Sequence, residues 1–382
     1  MTYCVGWKSD SAVYLVADSA VESDEPPRLY HSSFGEKHAS LQGRQAGRHV
    51  QEEALKLYDL GPCGVTFSGS VDAGRRMIDF MRNEIAEGRD SKSAFASATR
   101  NDGLKRKVKA LMAYSVGNTP RLAAFNENED GKVRWNADSA HIGSISDAYV
   151  DLTEKCISGI RSTPAIPERQ LAQTLALVQS YGIHRYLLEE GVGGCFCGLY
   201  VDQSGVHWQP DTLYVVTHSD FNSIGMVGVF ARRNVLCLFS SLCEAGKIVF
   251  ASPELNESGE LLRQRFSEIE RQVEQKHEAA IFDYVTIFNT AKHVAVTVEL
   301  IGNQEHALLK VESHPEVPRS TGVFWSPQLQ SLLNTICEPA DYEGEPHDLS
   351  LKFFPYRPLR QRFSLEELAD LRREGRQPEE RR

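Results

Sequence analysis

The chain has 382 residues with 42 basic and 52 acidic side chains, which leaves a formal net charge of −10 at pH 7. At about 150 residues per domain this length predicts two or three domains, and a composition of 41% hydrophobic and 25% charged residues excludes disorder over most of the chain. The acidic balance argues against binding to nucleic acid, because such binding normally uses a basic domain.

The sequence also lacks the segments that mark membrane and secreted proteins. No apolar run approaches the roughly 18 residues that a membrane-spanning helix requires, and the first residues hold no basic segment followed by an apolar one. The eight cysteines are too few for a disulfide framework and lack zinc-ligand spacing. We therefore expect a cytoplasmic protein with free thiols, no membrane partner and no structural metal.

The first part of the chain combines short strands with one long irregular segment. Residues 2–7 and 12–17 are apolar runs of strand length joined by a turn, which predicts a hairpin. Residues 20–50 contain a proline pair, several serines and scattered charge, which predicts a long loop or insertion. Strand character returns at 54–60 and 64–70, and these segments predict two further strands.

Helices and strands then follow in turn up to residue 217. Apolar residues at helical spacing predict a helix over 72–87. A second helix is predicted over 167–179, where a proline and a glutamate stand at the start. The other elements predicted here are a less regular helix over 92–109, strands over 110–116 and 121–126, a short strand after 139, and a hairpin of 195–201 with 206–209. Antiparallel hairpins interleaved with helices predict the α+β class.

Residues beyond 217 have a different pattern, with many strands and one long amphipathic helix over about 256–280. The strand candidates lie at 224–231, 234–239, 246–251, 283–289, 293–301 and 305–313. We predict a first domain over 2–217 and an appended α/β domain over 218–355, to which the sequence assigns no role. The remaining residues, 356–382, form a charged tail that we expect to be partly disordered.

The amino terminus offers a specific chemistry. Thr2 follows Met1, and a small second residue permits an aminopeptidase to remove Met1. The freed α-amino group has an ordinary pKa of about 7.7–8.0, so a part of it is neutral near pH 7. That amine accepts the proton of the Thr2 hydroxyl, which places nucleophile and base in one residue.

Six pieces of sequence follow this start in a characteristic order. They are 2–6, 15–19, 56–60, 64–70 with Asp72-Ala73, Gly143-Ser144, and Gly193-Gly194 with the hairpin up to Trp208. In these pieces the chain resembles the proteasome β-subunit family of N-terminal nucleophile (Ntn) hydrolases, and its opening resembles the bacterial ancestral-β-subunit branch. The resemblance implies a four-layer α-β-β-α sandwich over 2–217, assembly into a homo-oligomer, and neither cofactor nor metal.

The resemblance also implies roles for individual residues. Thr2 is the nucleophile, and Asp18 orients a lysine that lowers the pKa of the amine by its like charge. Gly69 offers its backbone N–H to the oxyanion, and Ser144 holds the amine or a water molecule. For the lysine we favour Lys56, because it has a strand context and the expected distance before Gly69.

Two departures from the family pattern leave alternatives open. The family lysine lies closer to the aspartate than the 38 positions from Asp18 to Lys56, so Lys37 is a second candidate. The family also has an aspartate and a serine where this chain has Glu189 and Val192, and a valine side chain makes no hydrogen bond to the amine.

We therefore predict a threonine peptidase that cleaves peptides or unfolded proteins through an acyl-enzyme on Thr2. A non-catalytic scaffold or interaction protein that keeps the same fold is the first alternative, because the two departures affect the support of the amine. An amidohydrolase acting on a small substrate is the second.

Overall fold

The computed structural model describes most of the chain up to residue 299 and two short strands beyond it. The described ranges are 2–42, 46–101, 107–126, 131–163, 165–185, 187–217, 224–251, 259–278, 281–290, 294–299, 310–313 and 321–324. The predicted tail over 356–382 lies outside them. No helix within these ranges is long and apolar enough to cross a membrane.

The secondary structure within the described ranges comprises α-helices, one short 3-10 helix and strands. The helices are α1 (Val71–Ala86), α2 (Ser91–Arg100), α3 (Asp147–Arg161), α4 (Pro167–Arg185), α5 (Gly259–Glu278) and the 3-10 helix Leu187–Glu190. The strands are β1 (Tyr3–Lys8), β2 (Val13–Ala17), β3 (Ala20–Ser23), β4 (Ala39–Ser40), β5 (His49–Glu52), β6 (Leu57–Asp59), β7 (Cys63–Gly69), β8 (Val108–Val116), β9 (Thr119–Phe125), β10 (Val133–Trp135), β11 (Ser139–Gly143), β12 (Cys197–Asp202), β13 (Gly205–Trp208), β14 (Thr212–Thr217), β15 (Ile224–Arg232), β16 (Val235–Ser240), β17 (Lys247–Ala251), β18 (Tyr284–Asn289), β19 (Val294–Glu299), β20 (Lys310–Ser313) and β21 (Thr321–Phe324).

The first sheet has the amino-terminal hairpin near its centre. Its strands run in the order β11-β1-β2-β12-β13, and each neighbouring pair is antiparallel. β1 and β2 are almost wholly buried because both of their faces are covered, which explains why their sequences are apolar without alternation. The predicted hairpin of 2–7 and 12–17 is confirmed.

The second sheet runs β10-β9-β8-β7-β6, again with antiparallel neighbours, and packs against the first. The apolar layer between them includes Cys4, Leu15, Leu57, Leu111, Leu122 and Leu199. α3 and α4 pack on the other side of the first sheet, and α1 and α2 pack on the other side of the second. The predicted α+β class is confirmed.

The segment over 20–50, predicted as a long loop or insertion, contains strands, so the prediction of a loop is wrong and that of an insertion stays a prediction. β3, β5 and β4 form a small antiparallel sheet in which Ala20 lies opposite Glu52. Short strands rich in charge and serine lack the apolar alternation on which strand prediction depends. Their pairing brings residue 52 beside the segment that follows β2.

The third sheet runs β17-β16-β15-β14-β18-β19 and contains one parallel pair, β14 with β18. One of its faces packs against α5, and the other joins the apolar layer that also contains Phe34 and Leu199. β14 lies before the predicted domain boundary at 217, yet it pairs with β15 and β18, which lie after that boundary. The division of the chain into domains stays a prediction.

A second correction concerns the helix predicted over 92–109. α2 ends at Arg100, and Lys109 lies in β8, which pairs with β7 on one side and β9 on the other. The sequence from Val108 to Val116 places long apolar residues on both faces, as a central strand requires. The prediction extended the polar helical stretch up to Lys109 and so overran the start of this strand.

Candidate active site

Three of the predicted site residues meet at one buried ammonium group. Lys56 is 2% exposed, and its Nζ donates to Thr2 Oγ1 at 2.9 Å and to Asp18 Oδ1 at 2.7 Å. The same group donates to the backbone carbonyl of Ala20. A charge at this distance strongly shifts the pKa of a neighbouring group.

Strand pairing explains why these residues meet. β1 and β2 pair as antiparallel neighbours, so Thr2 before β1 and Asp18 after β2 lie at the same end of the first sheet. Lys56 precedes β6 at the edge of the second sheet, where the Thr66 hydroxyl donates to its carbonyl at 2.9 Å. The lysine is thus anchored to one sheet while its ammonium binds residues of the other.

Asp18 is completely buried and accepts hydrogen bonds on both carboxylate oxygens. Oδ1 accepts from Lys56 and from the Tyr3 N–H at 3.1 Å, and Oδ2 accepts from the Gly193 N–H at 3.0 Å. Burial raises the pKa of Asp18, while the Lys56 ammonium and the two backbone donors oppose that rise. The carboxylate therefore connects the lysine to the loop before β12.

Lys37, the alternative lysine, lies elsewhere. Its side chain is exposed, and its Nζ sits 5.5 Å from the centroid of the Tyr30 ring. Of the two candidates the structure brings only Lys56 to Thr2 and Asp18. The ring contact is a cation–π interaction at an exposed position, which contributes little to stability.

Gly69 and Ser144 both line a cleft that Thr2 also lines. The cleft has a volume of about 840 Å³, and its lining also includes Ser68 and Lys107. Gly69 has φ +106, and a Cβ there would collide with the carbonyl oxygen of Lys107. A residue other than glycine is therefore strained at this end of β7.

The Gly143-Ser144 pair is tied to the backbone of Thr2. The Ser144 N–H donates to the Thr2 carbonyl at 2.8 Å, and the Ser144 side chain is exposed toward the cleft. Gly143 has φ +121, and a Cβ would collide with that same carbonyl. Sequence reasoning named Ser144 and missed that Gly143 permits the close approach.

The two departures from the family pattern have clear positions in the structure. Val192 is fully buried among the apolar residues between the first sheet and α4. Glu189 lies in the 3-10 helix and is exposed. The Val192 side chain thus packs against apolar neighbours and offers no hydrogen bond.

Sequence reasoning missed two buried carboxylic acids of the 20–52 segment, Glu36 and Glu52, which are 3% and 7% exposed. Glu36 Oε2 accepts from the Gly194 N–H at 3.3 Å, and Glu52 Oε1 accepts from the Cys195 N–H at 2.7 Å. In the sequence both residues are simply glutamates within a polar stretch, and such glutamates are normally exposed to solvent.

Burial raises the pKa of Glu36 to about 8, and the carboxylates of Glu52 and Asp18 add to the rise. The backbone N–H groups of Gly194 and Leu188 oppose it. Since buried ionised carboxyls are costly without a partner charge, Glu36 is expected to carry a proton at pH 7.

We expect Glu36→Gln to flatten the dependence of stability on pH. Folding raises this pKa from an ordinary 4.5 to about 8, so the folded chain keeps a proton that the unfolded chain has lost. The free energy of unfolding therefore falls as pH rises through that window, and glutamine removes this contribution. The variant leaves the other titratable groups nearby in place. These are Asp18 with Lys56, which donates to it, and His38, which accepts from the Glu52 N–H.

The measurement is Tm between pH 4.5 and 9 for both proteins. The wild type should lose Tm relative to Glu36→Gln over this range. Parallel curves for the two proteins would show that Glu36 does not keep its proton in the folded state.

The chain was also compared with known proteins. No family model matches it, and no curated protein matches it either.

Proposed function

We propose that the chain is an N-terminal threonine hydrolase of the proteasome β-subunit-like kind, which cleaves peptide bonds through an acyl-enzyme on Thr2. One observation carries the proposal: the buried Lys56 ammonium bridges Thr2 Oγ1 and Asp18 Oδ1 at 2.9 and 2.7 Å. Supporting it, two sheets pack together and each bears a helix pair on its other side, as a four-layer sandwich requires.

The first half of the reaction forms an ester. After loss of Met1, the Thr2 amine takes the proton of its own hydroxyl, and Oγ1 attacks the carbonyl carbon of the scissile peptide bond. Lys56 stabilises the developing negative charge on Oγ1 and disfavours protonation of the amine. The tetrahedral intermediate collapses when the leaving nitrogen receives the proton from the amine, which leaves the acyl group on Oγ1.

The second half releases the acid product. A water molecule gives one proton to the amine and attacks the ester carbonyl, and Oγ1 leaves with that proton. In both halves the oxyanion forms in the cleft beside Gly69, whose lack of a side chain lets a substrate carbonyl approach the backbone. The cleft beside Thr2 is open and large enough for an extended peptide segment.

A second candidate function is a non-catalytic scaffold of the same fold, and Val192 is the observation that favours it. This buried side chain stands where the family has a serine that hydrogen-bonds the amine. Assembly into a homo-oligomer and a cytoplasmic location also stay predictions.

We expect the mature protein to lack Met1. A retained methionine, or an acyl group on Thr2, removes the free amine that the mechanism uses as its base. Intact-mass spectrometry of the purified chain measures this, and peptide sequencing of the amino terminus is the control for other truncations. Quantitative retention of Met1 would exclude hydrolysis by Thr2 and favour the scaffold.

A further inference from the structure

Three successive backbone N–H groups at residues 193–195 each donate to a different buried carboxyl group. The pairs are Gly193 with Asp18 Oδ2 at 3.0 Å, Gly194 with Glu36 Oε2 at 3.3 Å, and Cys195 with Glu52 Oε1 at 2.7 Å. All three N–H groups belong to buried residues, and each carboxyl oxygen satisfies a backbone donor that is costly to bury without a partner. The loop before β12 is therefore held by three separate segments of the chain.

Glu52 makes the most extensive set of these contacts. Oε1 accepts from the hydroxyls of Ser19 and Ser33 at 2.8 and 2.9 Å as well as from Cys195, and Oε2 accepts from the Ser33 N–H at 2.7 Å. Both oxygens act only as acceptors in these contacts. A carboxylate supplies two such oxygens, whereas an amide replaces one of them with a donor.

The contacts of Glu52 flank Asp18 on both sides. Ser19 follows Asp18 directly in the chain, and the 193–195 loop donates to the second oxygen of Asp18. Asp18 in turn holds Lys56, whose ammonium reaches Thr2 Oγ1. A shift of either flanking segment would move the carboxylate that orients the lysine.

We propose that Glu52 is a positioning residue, which fixes Asp18 from both sides and through it sets the place of the Lys56 ammonium beside Thr2. The proposal rests on the threonine-hydrolase function above. In this proposal the 20–52 segment contributes to the site by placing the buried Glu52 carboxylate beside the 193–195 loop. Val192, just before that loop, has no hydroxyl that could take part. Glu52 makes no contact with Thr2 in these bonds, so it acts through other residues.

The test compares Glu52→Gln with the wild type on a fluorogenic peptide. We expect kcat to fall about 10- to 100-fold, the range found when a group that orients a metal ligand is removed. KM should stay within about twofold because Glu52 does not line the cleft. Asp211→Asn is the matched control, since Asp211 is 1% exposed, precedes β14, and pairs with Arg232 of β15 and Lys276 of α5. It should lower Tm and leave kcat unchanged.

A smaller variant keeps the proposal testable if Glu52→Gln fails to fold. Ser19→Ala removes the hydroxyl that ties Ser19, the neighbour of Asp18 in the chain, to the Glu52 carboxylate. This change should lower kcat about threefold or more at unchanged KM. A folded Glu52→Gln with wild-type kcat overturns the proposal, as does a wild-type kcat in Ser19→Ala when Glu52→Gln does not fold. If the wild type neither cleaves peptides nor reacts with a boronate probe, the threonine-hydrolase function itself fails.

Discussion

Thr2→Ala should reduce peptide hydrolysis by at least about 1,000-fold, because removal of a nucleophile leaves only the weaker contributions of binding and oxyanion stabilisation. The side chain is small and the Lys56 ammonium keeps its bonds to Asp18 and Ala20, so the fold should persist. The measurement is kcat/KM on fluorogenic peptides, together with labelling by a boronate or epoxyketone probe.

Thr2→Ser is the matched variant, since it keeps both the hydroxyl and the amine. We expect it to retain measurable activity and probe labelling. Equal activity of Thr2→Ala and the wild type would refute the assignment of Thr2. Absence of both cleavage and labelling in a wild type that has lost Met1 would favour the non-catalytic scaffold.

Lys56→Ala should lower kcat by at least about 100-fold, the scale of lost assistance to proton transfer. The ammonium lies 2.9 Å from Thr2 Oγ1, where it stabilises the charge that develops during attack. The change also leaves Asp18 buried without its cation, which we expect to cost about 3–5 kcal/mol of unfolding free energy. Stability must therefore be measured beside activity.

Two further variants serve as a control for Lys56→Ala and as a means to separate its loss of kcat from its loss of stability. Lys37→Ala removes an exposed lysine that contacts a ring, and it should change neither kcat nor Tm appreciably. The double variant Asp18→Asn with Lys56→Ala removes both buried charges and should recover stability while staying inactive. Wild-type kcat in a folded Lys56→Ala protein, or a large loss in Lys37→Ala, would reverse our choice of lysine.

Much of the fold near the amino terminus was predictable from sequence because the relevant signals are local. The apolar runs that become β1 and β2 are of strand length and are joined by a short turn. α1 begins after Ser70, whose hydroxyl accepts from the Ala73 N–H at 3.3 Å, and its buried Met77 and Met81 lie one turn apart. Such patterns involve neighbours within a few residues.

The choice between Lys37 and Lys56 shows where local signals end. Both lysines follow Asp18, and the strand context of Lys56 favoured it without excluding Lys37. The structure separates them through the pairing of β6 with β7 and the bond from Thr66 to the Lys56 carbonyl. These contacts join residues that no periodicity relates.

The sequence by itself determined the α+β class and the amino-terminal hairpin, because periodicity and turn residues act over short distances. Thr2, Asp18 and Gly69 became candidates through the resemblance of their motifs to a known family. Only the tertiary structure decided that Lys56 faces Thr2 and that Glu52 is buried beside Asp18. A buried polar group is stable only where distant segments supply its hydrogen-bond partners. Those partners come together through strand pairing, which a single stretch of sequence does not contain.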